Sequence, residues 1–178
     1  MSPEVARIAV LIVSDRAARG DYADRGGPAA EEWLRATITS PLDVTRQIVA
    51  DGREPVAEAM RALADGGADL VLVTGGTGPA PRDRTPEALA DIIDFDLPGF
   101  GEAMRRASLA EVPTAILSRQ SAGVRGETLF ITLPGKPAAI ATCLNAVFAA
   151  VPYCLDLIGA RRIETDSARC VAFRPKSG

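Results

Sequence analysis

Short apolar runs alternate with longer amphipathic stretches along this chain, and that alternation predicts its elements. Residues 7–13 (RIAVLIV) are nearly continuous in apolar side chains and predict a strand covered on both faces. Residues 28–38 predict a helix, with Pro28 near its start and Trp33 and Leu34 turned inward; Trp33 reads as core. Residues 42–50 predict a second strand, partly alternating through Val44, Gln47, Ile48 and Val49, and residues 55–63 a helix with Val56, Met60 and Leu63 at helical spacing. Residues 70–73 (LVLV) suit one buried strand and are too few for a helix. Helices are predicted over 86–93 and 102–109, separated where Pro98-Gly99-Phe100-Gly101 breaks the chain. Residues 113–118 and 127–133 read as strands joined by a loop over 119–126. An Ala-rich helix over 138–150, a last helix over 153–158 and an edge strand over 169–173 complete the pattern. The recurring β-α order predicts an α/β sheet covered by helices, with residues 1–178 as a single domain.

The polar residues concentrate where predicted strands end. Thr74-Gly75-Gly76-Thr77-Gly78 follows the buried strand, Pro79 and Pro81 stiffen the chain, and Arg82-Asp83-Arg84 sets a carboxylate between two cations. Thr85-Pro86-Glu87 then reads as a helix start: a capping hydroxyl, proline at the first helical position and an acid in the first turn. Strand, glycine loop and helix start together suit an anion, because glycines allow close backbone approach and exposed N–H groups point outward. A glycine turn that serves stability alone is the competing reading, and the Arg-Asp-Arg cluster weighs against it. The loop is neither G-x-x-x-x-G-K-[ST] nor G-x-G-x-x-G. Ser14 and Asp15 follow the first strand, at the edge that faces the ligand crevice of an open parallel sheet. The polar loop over 17–27 comes next. Asp51 follows the second strand, and by spacing alone a turn or cap worth about 1 kcal/mol is its simpler role. Leu133-Pro134-Gly135-Lys136-Pro137 is a second glycine turn after a strand, with Lys136 placed to meet a phosphate or to stand solvated.

Composition narrows the chemistry. Of the 178 residues 47% are apolar, as in a compact globule with a full core. A net charge of −3 and an aromatic content of 4% argue against a nucleic-acid partner, which needs a basic face or stacking platforms. The three cysteines form no C-x-x-C pair and read as reduced, mostly buried thiols of a cytoplasmic protein. The N-terminal apolar run is too short to span a membrane and lacks a cleavage pattern. With no histidine in the sequence, Ser-His-Asp and Cys-His catalysis and a His-ligated zinc are excluded. Chemistry is left to carboxylates, Lys and Arg, hydroxyls, backbone amides and a hard metal such as Mg²⁺.

TGGTGPAPRDRTPEAL over 74–89 closely resembles the signature of molybdopterin adenylyltransferases, the Mog/MoaB group that includes the G domain of gephyrin. VSDRAARG, LPGFGE (97–102), PTAILSRQ (113–120), LPGKP (133–137), VPYC and AFRPKS agree in the same order, so the resemblance spans essentially the whole chain. The stretch between Cys143 and Val151 is shorter than in some members. The resemblance implies a three-layer, mixed, mostly parallel sheet flanked by helices, a homotrimer, and transfer of AMP from Mg-ATP to the terminal phosphate of molybdopterin with release of pyrophosphate. It implies that Asp51 and Asp83 are catalytic, which overrides the spacing argument for Asp51. As hypotheses, these two hold Mg²⁺, while Gly75, Gly76, Thr77, Gly78 and Arg82, with Ser14 and Asp15, meet the nucleotide and its phosphates. Ser118, Arg119, Pro134, Gly135 and Lys136 are placed with the pterin or its phosphate. Hand-over to a molybdenum-insertion protein is a further expected partnership. A non-catalytic molybdopterin carrier or scaffold using the same pocket is the alternative. A metal-insertion role like that of the gephyrin E domain would call for further domains.

Overall fold

A computed structural model describes residues 4–176. Its strands are β1 (Ala6–Val13), β2 (Leu42–Val49), β3 (Leu70–Thr74), β4 (Phe95–Asp96), β5 (Ala122–Arg125) and β6 (Thr128–Leu133). The α-helices are α1 (Asp15–Ala18), α2 (Gly26–Thr37), α3 (Arg53–Asp65), α4 (Thr85–Ala90), α5 (Pro98–Leu109), α6 (Pro137–Val147) and α7 (Val151–Ile158). The strands form one sheet in the order β2-β1-β3-β6-β5-β4. β2, β1, β3 and β6 run parallel, while β5 is antiparallel to both β6 and β4.

The continuous apolar runs predict two covered faces, and both are covered. β1 turns Ala6, Ile8, Val10 and Ile12 to one face and Ala9, Leu11 and Val13 to the other, as successive side chains of a strand must. On the first face lie Trp33 and Leu34 of α2, Met104 of α5, Leu144 of α6 and Leu155 of α7. On the second lie Val56 and Met60 of α3 and Leu89 of α4. The result is the expected three-layer, mixed, mostly parallel architecture. Trp33 is core: its ring meets Phe148 edge-on at 4.7 Å and its Nε1 donates to Asn145 at 3.1 Å. Pro137–Ile158 is apolar and long enough to cross a membrane, but Leu144, Phe148, Val151 and Leu155 face the first core.

Several expected boundaries are corrected. Residues 113–118 are not a strand but an exposed 3₁₀ turn over Pro113–Leu117; the strand beside β6 is β5, inside the segment expected to be a loop. Residues 169–173 form no strand: the Phe173 N–H donates to the Ala149 carbonyl at 2.9 Å, and the nearby bridge pairs Ile38 with Thr165, before the segment. The loop over 17–27 contains the end of the four-residue α1 and the start of α2.

The topology creates a crevice. From β1 the chain crosses to β2 on one side and then to β3 on the other, with α2 and α3 on opposite faces. β1 and β3 therefore flank a topological switch point, where open α/β sheets bind ligands beyond the C-terminal strand ends.

Candidate active site

Four parallel strands end at one edge of the sheet, so the loops that follow them meet there. Registers such as Val13 with Val49 and Thr74 with Leu133 set these ends level. The loop after β1 supplies Ser14 and Asp15, that after β2 Asp51, that after β3 the glycines and Asp83, and that after β6 Gly135 and Lys136. A polar cleft of about 400 Å³ is lined by Ser14, Asp15, Asp51, Gly75, Gly76, Arg82, Asp83, Gly135 and Lys136.

Asp15 and Asp51 are locked together. The backbone N–H of Asp15 donates to Asp51 Oδ2 at 2.9 Å, and the Asp51 N–H donates to Asp15 Oδ1 at 2.9 Å. Each carboxylate orients the other's backbone through one oxygen, and both residues line the cleft. Ser14 Oγ accepts from the Ala17 N–H at 3.2 Å and so is used as a cap. Asp83 sits in a tight turn, its Oδ2 accepting from the Ala80 N–H at 3.2 Å while its own N–H donates to the Ala80 carbonyl at 2.9 Å.

The glycine loop needs its glycines. Gly75 and Gly76 have φ of 95° and 65°, a region that costs a side-chain-bearing residue about 1–2 kcal/mol. A Cβ on Gly75 would collide with the Val13 carbonyl oxygen, and one on Gly76 with Thr85 Oγ1. The backbone therefore passes directly over the end of β1. Thr85, fully buried, fastens this turn: its Oγ1 donates to the Gly75 carbonyl at 2.9 Å and its N–H to the Gly76 carbonyl at 3.1 Å.

A second, mostly apolar cleft of about 450 Å³ adjoins the first. Thr77, Gly78, Ser118 and Pro134 open on it, with Val112 just before the 3₁₀ turn, Ala115 and Leu117 within it, and Ala138 and Ala139 from the start of α6. Gly75, Gly76, Asp83, Gly135 and Lys136 line both clefts and form their common rim. The N-terminus of α6 follows Lys136 at that rim, adding partial positive charge to the lysine's full one.

Arg119, expected with the pterin or its phosphate, is turned to the glycine loop. It lines neither cleft, and its guanidinium is bonded to the loop: Nε and Nη2 to the Gly78 carbonyl at 3.1 and 3.0 Å, Nη2 to the Asp83 carbonyl at 2.7 Å, and Nη1 to Glu87 Oε1 at 2.5 Å. Burial pushes the Glu87 carboxyl up, but the hydrogen bond and charge of Arg119, helped by Arg84, hold it below the ordinary carboxylate range.

Sequence reading missed Asp24, Arg16 and Tyr22, which also line the polar cleft. Asp24 accepts from the N–H groups of Gly26 and Gly27, both at 3.0 Å, and so caps α2; an acid two residues before Gly-Gly-Pro was a usable signal for it. Arg16 lies over the Tyr22 ring at 5.1 Å. Cys143 is buried, held near Ser108 Oγ and Gln120 Nε2, and desolvation pushes its thiol up, which makes it an inert core group rather than a nucleophile.

Among the described residues no three histidine, cysteine or acidic side chains converge as ligands. Mg²⁺ asks for less, one or two carboxylates with the remaining oxygens from phosphate and water, and Asp51 and Asp83 on one cleft fit that demand.

Comparison with known proteins gives the family. The family model described as a probable molybdopterin binding domain matches residues 9–153. The chain is 51% identical over 170 residues to the molybdopterin adenylyltransferase of Helicobacter pylori, covering 95% of this chain and 97% of that one. It is 43% identical over 184 residues to the molybdopterin adenylyltransferase of Escherichia coli K12, covering 96% and 94%. Among solved structures, the molybdopterin biosynthesis Mog protein of Mycobacterium ulcerans superposes with a TM-score of 0.78 at 42% identity, covering 86% of this chain and 99% of that one.

Proposed function

The chain belongs to the molybdopterin-binding domain family, and from that premise we propose that it is a molybdopterin adenylyltransferase of molybdenum cofactor biosynthesis. It moves AMP from ATP to the terminal phosphate of molybdopterin. The observation that carries this reading is the shared rim: a polar, acid-bearing cleft and an apolar cleft meet at Gly75, Gly76, Asp83, Gly135 and Lys136. A triphosphate suits the first and a flat pterin the second, which brings their phosphates together at the rim.

A phosphate monoester has its second pKa near about 6, so the acceptor is already a nucleophile at neutral pH. No general base is needed, consistent with a chain lacking histidine. An acceptor oxygen attacks the α-phosphorus of ATP, the bond from that phosphorus to the bridging oxygen breaks, and the electron pair leaves with pyrophosphate. The obstacle is repulsion: two unit charges about 4 Å apart oppose each other by about 4 kcal/mol at an effective dielectric of 20. Arg82 and Lys136, the N–H groups of the glycine loop and the start of α6 counter that repulsion and fix the geometry. Asp51 and Asp83 would hold Mg²⁺, which neutralises phosphate charge when bound. Ser14 acts by holding α1, and Asp15 by holding Asp51.

Leu109 and Ile116, large apolar side chains left exposed outside both clefts, support burial against further copies of the chain, in this reading a homotrimer. The reaction belongs in the cytoplasm, where ATP is supplied.

The test is pyrophosphate release from Mg-ATP with and without molybdopterin. We expect release only with molybdopterin, and a loss of about 10²-fold or more in kcat for Asp51→Asn or Asp83→Asn, the scale of one strong charge-stabilising contact. Tight molybdopterin binding with no pyrophosphate from the unmodified protein would leave a carrier and overturn the enzyme.

A further inference from the structure

We propose that Arg119 is a positioning residue, clamping residues 78–87 into one rigid arch and thereby fixing where Asp83 presents its carboxylate to the cleft. The inference rests on the adenylyltransferase reading and adds to it a residue acting through Asp83 rather than on a substrate.

A guanidinium has five N–H donors in a fixed fork. Four meet protein acceptors here: the Nε hydrogen and one Nη2 hydrogen on the Gly78 carbonyl, the other Nη2 hydrogen on the Asp83 carbonyl, and one Nη1 hydrogen on Glu87. Its backbone N–H also donates to the Thr77 carbonyl at 2.8 Å. Gly78 and Asp83 bound the segment bearing Pro79, Pro81 and Arg82, so bonding both carbonyls to one planar group closes that segment like a staple. Glu87 lies in the first turn of α4, so the same group ties the loop to the helix that follows it. Without the clamp, the local bonds between Ala80 and Asp83 remain, but that turn is free to tilt against the cleft. A lysine offers three donors around a single point and cannot span Gly78, Asp83 and Glu87 together.

The experiment measures kcat and KM for ATP and for molybdopterin in Arg119→Ala, Arg119→Lys, Glu87→Gln, Asp83→Asn and the Arg119→Ala/Asp83→Asn double variant. Amide hydrogen exchange of Ala80 and Asp83 is followed in the same proteins. A displacement of about 1 Å costs on the order of 10² in rate, so Arg119→Ala is expected to lose about 10²-fold in kcat with KM for molybdopterin within about twofold. Arg119→Lys should recover little of this, Glu87→Gln should lose less, and added guanidinium ion at non-denaturing concentration should partly restore Arg119→Ala. The double variant should be no worse than Asp83→Asn alone, because both changes remove one function. Exchange at Ala80 and Asp83 should quicken in Arg119→Ala while the melting of the rest of the fold holds. If Arg119→Ala fails to fold, Glu87→Gln and Arg119→Lys carry the same test. A raised KM for molybdopterin with kcat kept would make Arg119 a substrate contact, and unchanged exchange would show that nothing is clamped; either overturns the proposal. An active Asp83→Asn would instead sink the adenylyltransferase site, which separates the two failures.

Discussion

Replacing Gly75 by alanine isolates the feature on which the cleft is built, the passage of the glycine loop over the end of β1. The native φ of 95° costs an alanine about 1–2 kcal/mol. The added Cβ would also collide with the Val13 carbonyl oxygen, a backbone atom that cannot rotate away. Forcing such a contact apart costs typically about 1–3 kcal/mol, and the stiffer unfolded chain of the alanine variant returns about 0.4–1 kcal/mol. The net is a loss of roughly 1–5 kcal/mol, centred on about 3 kcal/mol, or on the order of 10 °C in Tm for a domain of this size. Two other glycines divide the terms. Gly20 has φ of 78° but open space where its Cβ would stand, so Gly20→Ala should cost only about 1 kcal/mol. Gly99, in α5, has neither a positive φ nor a neighbour, so Gly99→Ala should be neutral or stabilising by about 0.5 kcal/mol. Guanidinium unfolding at one fixed protein concentration, with the denaturant slope checked for constancy, measures all three. Equal losses for Gly75→Ala and Gly20→Ala would refute the claim that the loop presses on β1.

Thr85→Val should cost about 1–3 kcal/mol by leaving the Gly75 carbonyl without its donor, while Thr85→Ser, keeping the hydroxyl, should lose less; thermal melts compare them. The ion pair between Arg119 and Glu87 should respond to acid. A carboxyl held below its ordinary value contributes fully above about 4.5 and loses its contribution as pH falls through the depressed folded-state value. The stability gap between the unmodified protein and Glu87→Gln should therefore close on acidification, and a gap that stays constant from neutral pH down to about pH 3 would show that the pair does not stabilise the loop.

Sequence pattern alone determined the apolar runs, and with them the buried parallel strands β1, β3 and β6 and the helices that cover them, because burial on both faces demands continuous apolar residues; β2, a partly exposed edge strand, showed itself by partial alternation instead. It also marked the glycine loop and Asp83, since glycine, proline and flanking charges sit next to one another in the chain. Asp51 became a candidate only through family resemblance, because an aspartate after a strand is equally a common turn residue. Tertiary structure decided the rest. Residues 113–118 look like a strand but form an exposed turn, while Ala122–Arg125, short and holding a glycine, becomes one because β6 and β4 offer it partners. Strand identity is a property of pairing, and the partner lies elsewhere in the sequence. For the same reason the Asp15–Asp51 lock emerged only in three dimensions, as did the bonds from the Arg119 guanidinium to two carbonyls some 40 residues away. A residue's type limits which bonds it can make; the fold selects which acceptors come within reach.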